Sequence, residues 1–258
     1  MSGVVVGLGR DGDPTTAIRW GSAAASARGA ELRLVHAWRS PVEVSAELRT
    51  GDLPGLEGHA TSLALMGEPA GVVLDQRPEL LVLGRRLGAR RLSTLAMRCV
   101  SASTCPVAVV PLDQAPPRRG RVVVGACGTA ASAAAIRWAA DEADRRLAQL
   151  VVVQAWQRHP TSAKELALPG RTDAHQGMVA QVRLRRWVES VIGPTSAELC
   201  ASHGGPFDEL LAAAADADLV VVGHSVHGVF GRLLHGSVDT DLSGTLQCPV
   251  VVVPGAAR

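Results

Sequence analysis

Val4-Val5-Val6-Gly7 returns as Val122-Val123-Val124-Gly125, and that return decides the fold. Ala17-Ile18-Arg19-Trp20 returns as Ala135-Ile136-Arg137-Trp138, and Ala37-Trp38 as Ala155-Trp156, all at one offset of 118 residues. Cys105-Pro106-Val107 returns at a longer offset as Cys248-Pro249-Val250. A period of about half the chain means two copies of one fold rather than a short-period solenoid.

Each copy opens with a short apolar run, a Gly-rich turn and an Ala-rich segment. In the second copy Ile136, Ala140, Ala143 and Leu147 share one helical face. Leu150-Val151-Val152-Val153 is a continuous apolar run, the mark of a strand covered on both faces. Ala180, Leu184, Trp187, Val188 and Val191 predict a second amphipathic helix. A weak strand follows near Ala197 to Ala201. Gly204-Gly205 then precede a helix with Pro206 in its first turn and an apolar stripe of Phe207, Leu210, Leu211 and Ala214. Leu219 to Val222 reads as a strand ending at Gly223, a loop leads to a helix starting near Ser237, and Val250 to Val253 closes the copy. This alternation predicts a parallel, right-handed α/β sheet.

The first copy keeps the order but is shorter between Trp38 and Gly84. Ser40 to His59 contains Pro41, Gly51, Pro54, Gly55 and Gly58, which do not support a long helix. The first domain, residues 1–111, is therefore expected to lack one helix and to leave one sheet face thinly covered, unless the second copy or another subunit covers it. Residues 112–120, with Pro116-Pro117-Arg118-Arg119, read as a stiff linker, and residues 121–254 as the second domain.

The chain has 258 residues, 47% of them hydrophobic, which suits two cores and argues against disorder. A formal charge of +2 gives no reason to expect nucleic acid or membrane as partner. No apolar run approaches the roughly 20 residues that span a bilayer, and the N-terminus runs straight into a strand without the features of a signal peptide. The five cysteines have no CxxC spacing. They read as reduced, buried thiols of a cytoplasmic protein, with no metal framework.

Taken in order, Val-Val-Val-Gly, Ile-Arg-Trp-Ala, Leu-Val-Val-Val-Gln-Ala-Trp, Val-Val-Val-Gly-His-Ser and Cys-Pro-Val-Val-Val-Val-Pro resemble the universal stress protein family in its tandem, two-domain form, over nearly all of both copies. The resemblance implies α/β architecture with two tandem Rossmann-like domains, each a five-stranded parallel sheet with flanking helices. It implies a non-catalytic stress-response protein, with an adenine nucleotide across the strand ends in many members. It also implies that Val107 to Val110 and Val250 to Val253 pair, giving a dimer within one chain; a homodimer of the whole chain is a further expectation.

The family's nucleotide-binding subset resembles a pattern of Gly, two residues, Gly, nine residues, then Gly-Ser or Gly-Thr, with an Asp after the first strand. Such glycines let main chain approach phosphate, the last pair sits at a helix N-terminus that favours anions, and the carboxylate accepts from ribose. In the second copy Gly223 fits the first Gly and Gly236-Ser237 the last pair, but Val226 stands at the middle Gly and Cys127 at the Asp. The site the resemblance implies for ATP or AMP is Ala126, Cys127, Ala155, Gly223, Val226, Gly236, Ser237 and Val238. Val226 resists the backbone such a loop uses, and Asp239 and Asp241 repel phosphate. In the first copy Ser93-Thr94 stand for Gly236-Ser237, Gly9 for the Asp, and the loop after Gly84 is shorter.

His224, His227 and His235 share the second-copy loop; solvation or phosphate contact is expected before metal binding. Arg85, Arg86, Arg90 and Arg91 read as a solvated loop, or as salt-bridge partners for acids of the second copy. They lack the interleaved aromatics of a nucleic-acid site. Trp20, Trp138, Trp38 and Trp156 read as packing residues, and Cys127 as a strand-tip thiol with nothing nearby in sequence to activate it as a redox sensor. No acid–base pair suggests an enzyme. The alternative function is a degenerate scaffold that binds no nucleotide.

Overall fold

A run such as Val4-Val5-Val6 has no polar face, so a sheet made from such runs must be covered on both sides. The computed structural model describes residues 3–9, 12–38, 60–86, 92–112, 119–157, 171–224 and 246–255. The first half contains β1 (Val4–Leu8), α1 (Thr15–Ser26), β2 (Leu32–Trp38), β3 (Ala60–Met66), α2 (Pro69–Asp75), β4 (Leu80–Arg85), α3 (Thr94–Ala102) and β5 (Val107–Pro111). The second contains β6 (Arg121–Gly125), α4 (Ala130–Arg146), β7 (Gln149–Trp156), α5 (Arg171–Ile192), β8 (Glu198–His203), α6 (Pro206–Ala214), β9 (Leu219–His224) and β10 (Val250–Pro254).

All ten strands join one sheet in the order β3-β2-β1-β4-β5-β10-β9-β6-β7-β8. Within each half every pairing is parallel. The halves meet through β5 and β10, which run antiparallel with Val109 opposite Val250, Ala108 opposite Val251 and Val107 opposite Val252. Ala108 and Val251 are the same repeat position, so a local two-fold axis passes between them. Each half is the expected five-stranded parallel unit, and the expected pairing of the last strands is present.

Successive strand residues point to opposite faces. Val4, Val6, Val122 and Val124 pack with Ile18, Ile136 and Leu184 on one side, whereas Val5 and Val123 pack with Val73, Val100 and Leu210 on the other. Leu184 and Val188 of α5 are fully buried, as their spacing predicts. Leu147 departs from its expected place on the α4 face. It caps the helix in the left-handed conformation, φ 53°, with its side chain 94% exposed. The chain has turned before the periodic pattern ends. The Ser40 to His59 stretch, the interior of the linker and the helix expected near Ser237 lie outside the described residues.

The faces of α1 and α4 bring charge into the core. Arg28, just past α1, donates to Glu142 of α4 at 2.5 Å and to the Ala24 carbonyl at 3.0 Å. Arg146 donates to the other oxygen of Glu142 at 2.7 Å. The Arg28 guanidinium lies 5.7 Å from the Trp138 ring centre and that of Arg146 lies 5.2 Å from the Trp20 ring centre. Arg28/Arg146 and Trp20/Trp138 are repeat pairs, so each half places its cation on the other half's indole. The carboxylate exists once: the counterpart of Glu142 is Ala24. Side-chain exposure is 4% at Arg28 and 2% at Glu142. Removing Glu142 therefore leaves a buried guanidinium without its counter-ion. Glu142→Ala is expected to lower unfolding free energy by about 3–5 kcal/mol, measured by urea denaturation, and pairing it with Arg28→Met should recover part of that loss.

Candidate functional site

Open α/β sheets bind ligands outside the carboxyl ends of their strands, where the strand order reverses. Here β1 lies between β2 and β4, and β6 between β7 and β9. Each half therefore has one such crevice. The first is bounded by Gly9 after β1 and by Gly84-Arg85 of β4; the second is bounded by Ala126 after β6 and by Gly223-His224 of β9.

In the second half Ala126 is buried and its N–H donates to the Val153 carbonyl at 2.8 Å. Cys127 is exposed, against the expectation of a buried thiol, because it follows the end of β6 rather than lying within the sheet; its N–H donates to Ser132 Oγ at 3.3 Å, and its sulfur lies 3.3 Å from Thr129 Oγ1. Thr129 and Ser132 form a reciprocal capping box that closes the N-terminus of α4. Ala155, half-buried on β7, sits opposite Ser202. Gly223 lies in β9 opposite Val253. A Cβ there would stand 2.4 Å from the Ala131 carbonyl oxygen and 2.8 Å from the Ser132 nitrogen. Glycine at 223 is thus required by the backbone of α4, whether or not a ligand is bound. Ala126, Cys127, Ala155 and Gly223 belong to one edge of the sheet. Val226, Gly236, Ser237 and Val238 lie outside the described residues, as do His227 and His235.

The equivalent edge of the first half holds a cavity of about 570 Å³. Gly9, Ala37 and Gly84, the counterparts of Cys127, Ala155 and Gly223, line it together with Arg86, Ser93 and Arg98. Ser93 caps α3, its hydroxyl accepting from the Ala96 N–H at 3.2 Å. Glu68 caps α2 by accepting from the Gly71 N–H at 2.9 Å and pairs with Arg98 at 2.8 Å.

Arg85 corrects the reading of the arginine cluster as a solvated loop. It ends β4, is 6% exposed, and donates to the Leu246 carbonyl of the second half. Its partner across the halves is a backbone carbonyl, because the segment leading into β10 passes beside the end of β4. Arg86 is exposed, and Arg90 and Arg91 lie outside the described residues. Sequence reasoning also missed the Arg28–Glu142–Arg146 cluster, although Arg28 and Arg146 recur at the same offset as the tryptophans.

Burial pushes the Cys99 thiol up to about 12, and burial likewise pushes Cys248 up to about 11. Cys105 and Cys200 are raised for the same reason. Among the described residues no group of three or more His, Cys, Asp and Glu is placed to hold a metal ion, and no helix is long and apolar enough to cross a membrane.

Sheet order, switch-point crevices and edge-to-edge joining define a duplicated, doubly wound α/β protein. The family model described as the universal stress protein family matches residues 118–254. The chain belongs to the universal stress protein family. It is 29% identical over 290 residues to universal stress protein Rv2005c of Mycobacterium tuberculosis, covering 97% of this chain and 96% of that protein. It is 27% identical over 291 residues to universal stress protein Rv2623 of the same species, covering 97% and 95%. The crystal structure of a universal stress protein from Archaeoglobus fulgidus DSM 4304 shares the fold with a TM-score of 0.67 at 13% identity, over 98% of this chain and 96% of that one.

Two measurements check this edge. Gly223→Ala is expected to cost about 1–3 kcal/mol in thermal unfolding, from the overlap with the α4 backbone. A disulfide reagent at pH 8 should label Cys127 first, while Cys99 and Cys248, held as neutral thiols well above that pH, react only on unfolding.

Proposed function

We propose that this chain is a ligand-binding stress-response protein that holds an adenine nucleotide, ATP or AMP, in its second half and acts through contacts rather than turnover. The observation that carries this reading is the convergence of Ala126, Cys127, Ala155 and Gly223 at the carboxyl edge of β6, β7 and β9, beside the switch point. Small residues at 126 and 155 leave space for a base at that edge, and Gly236-Ser237 follow β9 in sequence at the spacing the family pattern uses. The absence of a carboxylate at Cys127 costs the ribose an acceptor, so recognition rests on the base and phosphate. The proposed units are residues 1–111 and 121–254, joined by 112–120. Buried thiols at Cys99, Cys105 and Cys248 suit a reducing cytoplasm.

Calorimetric titration of the full chain with ATP and AMP is expected to give affinities weaker than micromolar. Gly236→Val should reduce them by about tenfold or more, by placing a branched side chain where main chain meets phosphate. Absence of heat at millimolar nucleotide rejects the reading. ATP hydrolysis that disappears in Gly236→Val would replace it with an enzymatic one.

A further inference from the structure

The ten-stranded sheet has two outer strands, β3 and β8, and they occupy the same repeat position in the two halves. β2 sets Trp38 opposite Met66, and β7 sets Trp156 opposite His203. Counting back from those partners, Ser62 stands for Leu199 and Ala64 for Ala201. The β8 edge is closed. The Gln181 side chain of α5 donates to the Leu199 carbonyl at 2.6 Å and accepts from the Ala201 N–H at 3.0 Å, the two-point contact that a neighbouring strand makes. Glu198, paired with Arg121 at 3.1 Å, adds charge to the same strand, a common protection of sheet edges.

The β3 edge has neither device. Ala60-Thr61-Ser62-Leu63-Ala64-Leu65-Met66 carries no charge and no proline. Thr61, Ser62, Ala64 and Met66 are exposed, Met66 at 68%. By the alignment with Leu199 and Ala201, the Ser62 carbonyl and the Ala64 N–H point away from β2, and among the described residues no side chain takes the place of Gln181 beside them. An uncharged edge with open backbone groups is a template for another strand.

The way this chain joins its own halves indicates which strand. β5 meets β10 edge to edge, antiparallel, across a local two-fold axis. Under the same operation β3 is complementary to itself. Full overlap of its seven residues puts the axis at Leu63 and sets Ser62 opposite the partner's Ala64, Thr61 opposite the partner's Leu65 and Ala60 opposite the partner's Met66. Ser62 and the partner's Ala64 then exchange both backbone hydrogen bonds, because both direct those groups to the open edge. The exposed Met66 gains an apolar neighbour on one face, and the half-buried Leu63 meets its own copy on the other. We infer that β3 is a self-association edge, through which two copies of this chain pair antiparallel about Leu63 and continue the sheet from one chain into the next. The contact is independent of the nucleotide site proposed for the second half.

Sedimentation velocity of the full chain over a concentration series tests this. One strand pair is a small interface, so a dimer with a dissociation constant of about 1–100 μM is expected. Ser62→Lys combined with Ala64→Lys places lysine opposite lysine on both sides of the axis and should weaken the dimer by about tenfold or more. Ser62→Lys combined with Ala64→Glu places lysine opposite glutamate instead and should bring the dimer back to within about threefold of the unaltered chain. Both positions are exposed, and the thermal midpoint reports that each variant is folded. Three results overturn the inference. The first is a chain that stays monomeric up to about 500 μM, well above the expected range. The second is a dimer unmoved by the two lysines, which is joined elsewhere. The third is a lysine–glutamate variant that dimerises no better than the lysine–lysine one, which means that residues 62 and 64 do not face each other across an axis at Leu63.

Discussion

The antiparallel pairing of β5 with β10 is the constraint from which the rest follows. Both strands are apolar along their length, and either one left as an edge would present unpaired backbone beside an exposed hydrophobic face. Pairing them merges two five-stranded sheets into one and lets each face carry a continuous core across the seam. The local two-fold at Ala108 and Val251 also brings the α1 and α4 faces together. Their arginines then fall on each other's tryptophans, and the buried Arg28 and half-buried Arg146 converge on the one buried carboxylate of Glu142. Removing that carboxylate would cost more than forming the cluster contributes, as is usual for buried ion pairs.

The same axis makes the two ligand edges comparable while allowing their chemistry to separate. Gly84 and Gly223 occupy one repeat position, yet their missing side chains face different neighbours. At 223 the obstacle is the backbone of α4; at 84 it is the side chain of Leu112, 2.6 Å from a built Cβ. At the β1 tip the first half has an open Gly9, whereas the second has Cys127 tied into the α4 cap. Arg85 adds a physical link, because it lines the first cavity and bonds to the second half.

Much of the fold was legible because valine runs without polar alternation suit little other than doubly covered strands, and because the repeat supplied each element twice. Leu184, Val188, Leu210 and Ala214 are buried where helical spacing placed them. Leu147 was misplaced because periodicity is blind to a left-handed cap that turns the chain away. Arg85 was misplaced because it was grouped with Arg86, Arg90 and Arg91 in one loop, whereas it ends β4 and its spatial neighbour is Leu246, 161 residues away. The candidate site was legible as a set of repeat positions, but the reason Gly223 must be glycine was not, since Ala131 approaches it only through packing.

Residue order alone determined two copies of one α/β unit, the strands, most helix faces and the divergence of the ligand edges. Those properties depend on local periodicity and on comparing one copy with the other. Tertiary structure alone decided that Arg28 reaches Glu142 of the other half, that each indole takes the opposite half's cation, and that Arg85 crosses the seam. Such contacts depend on distances between residues far apart in the chain, which are set only when β5 and β10 lock the halves in register.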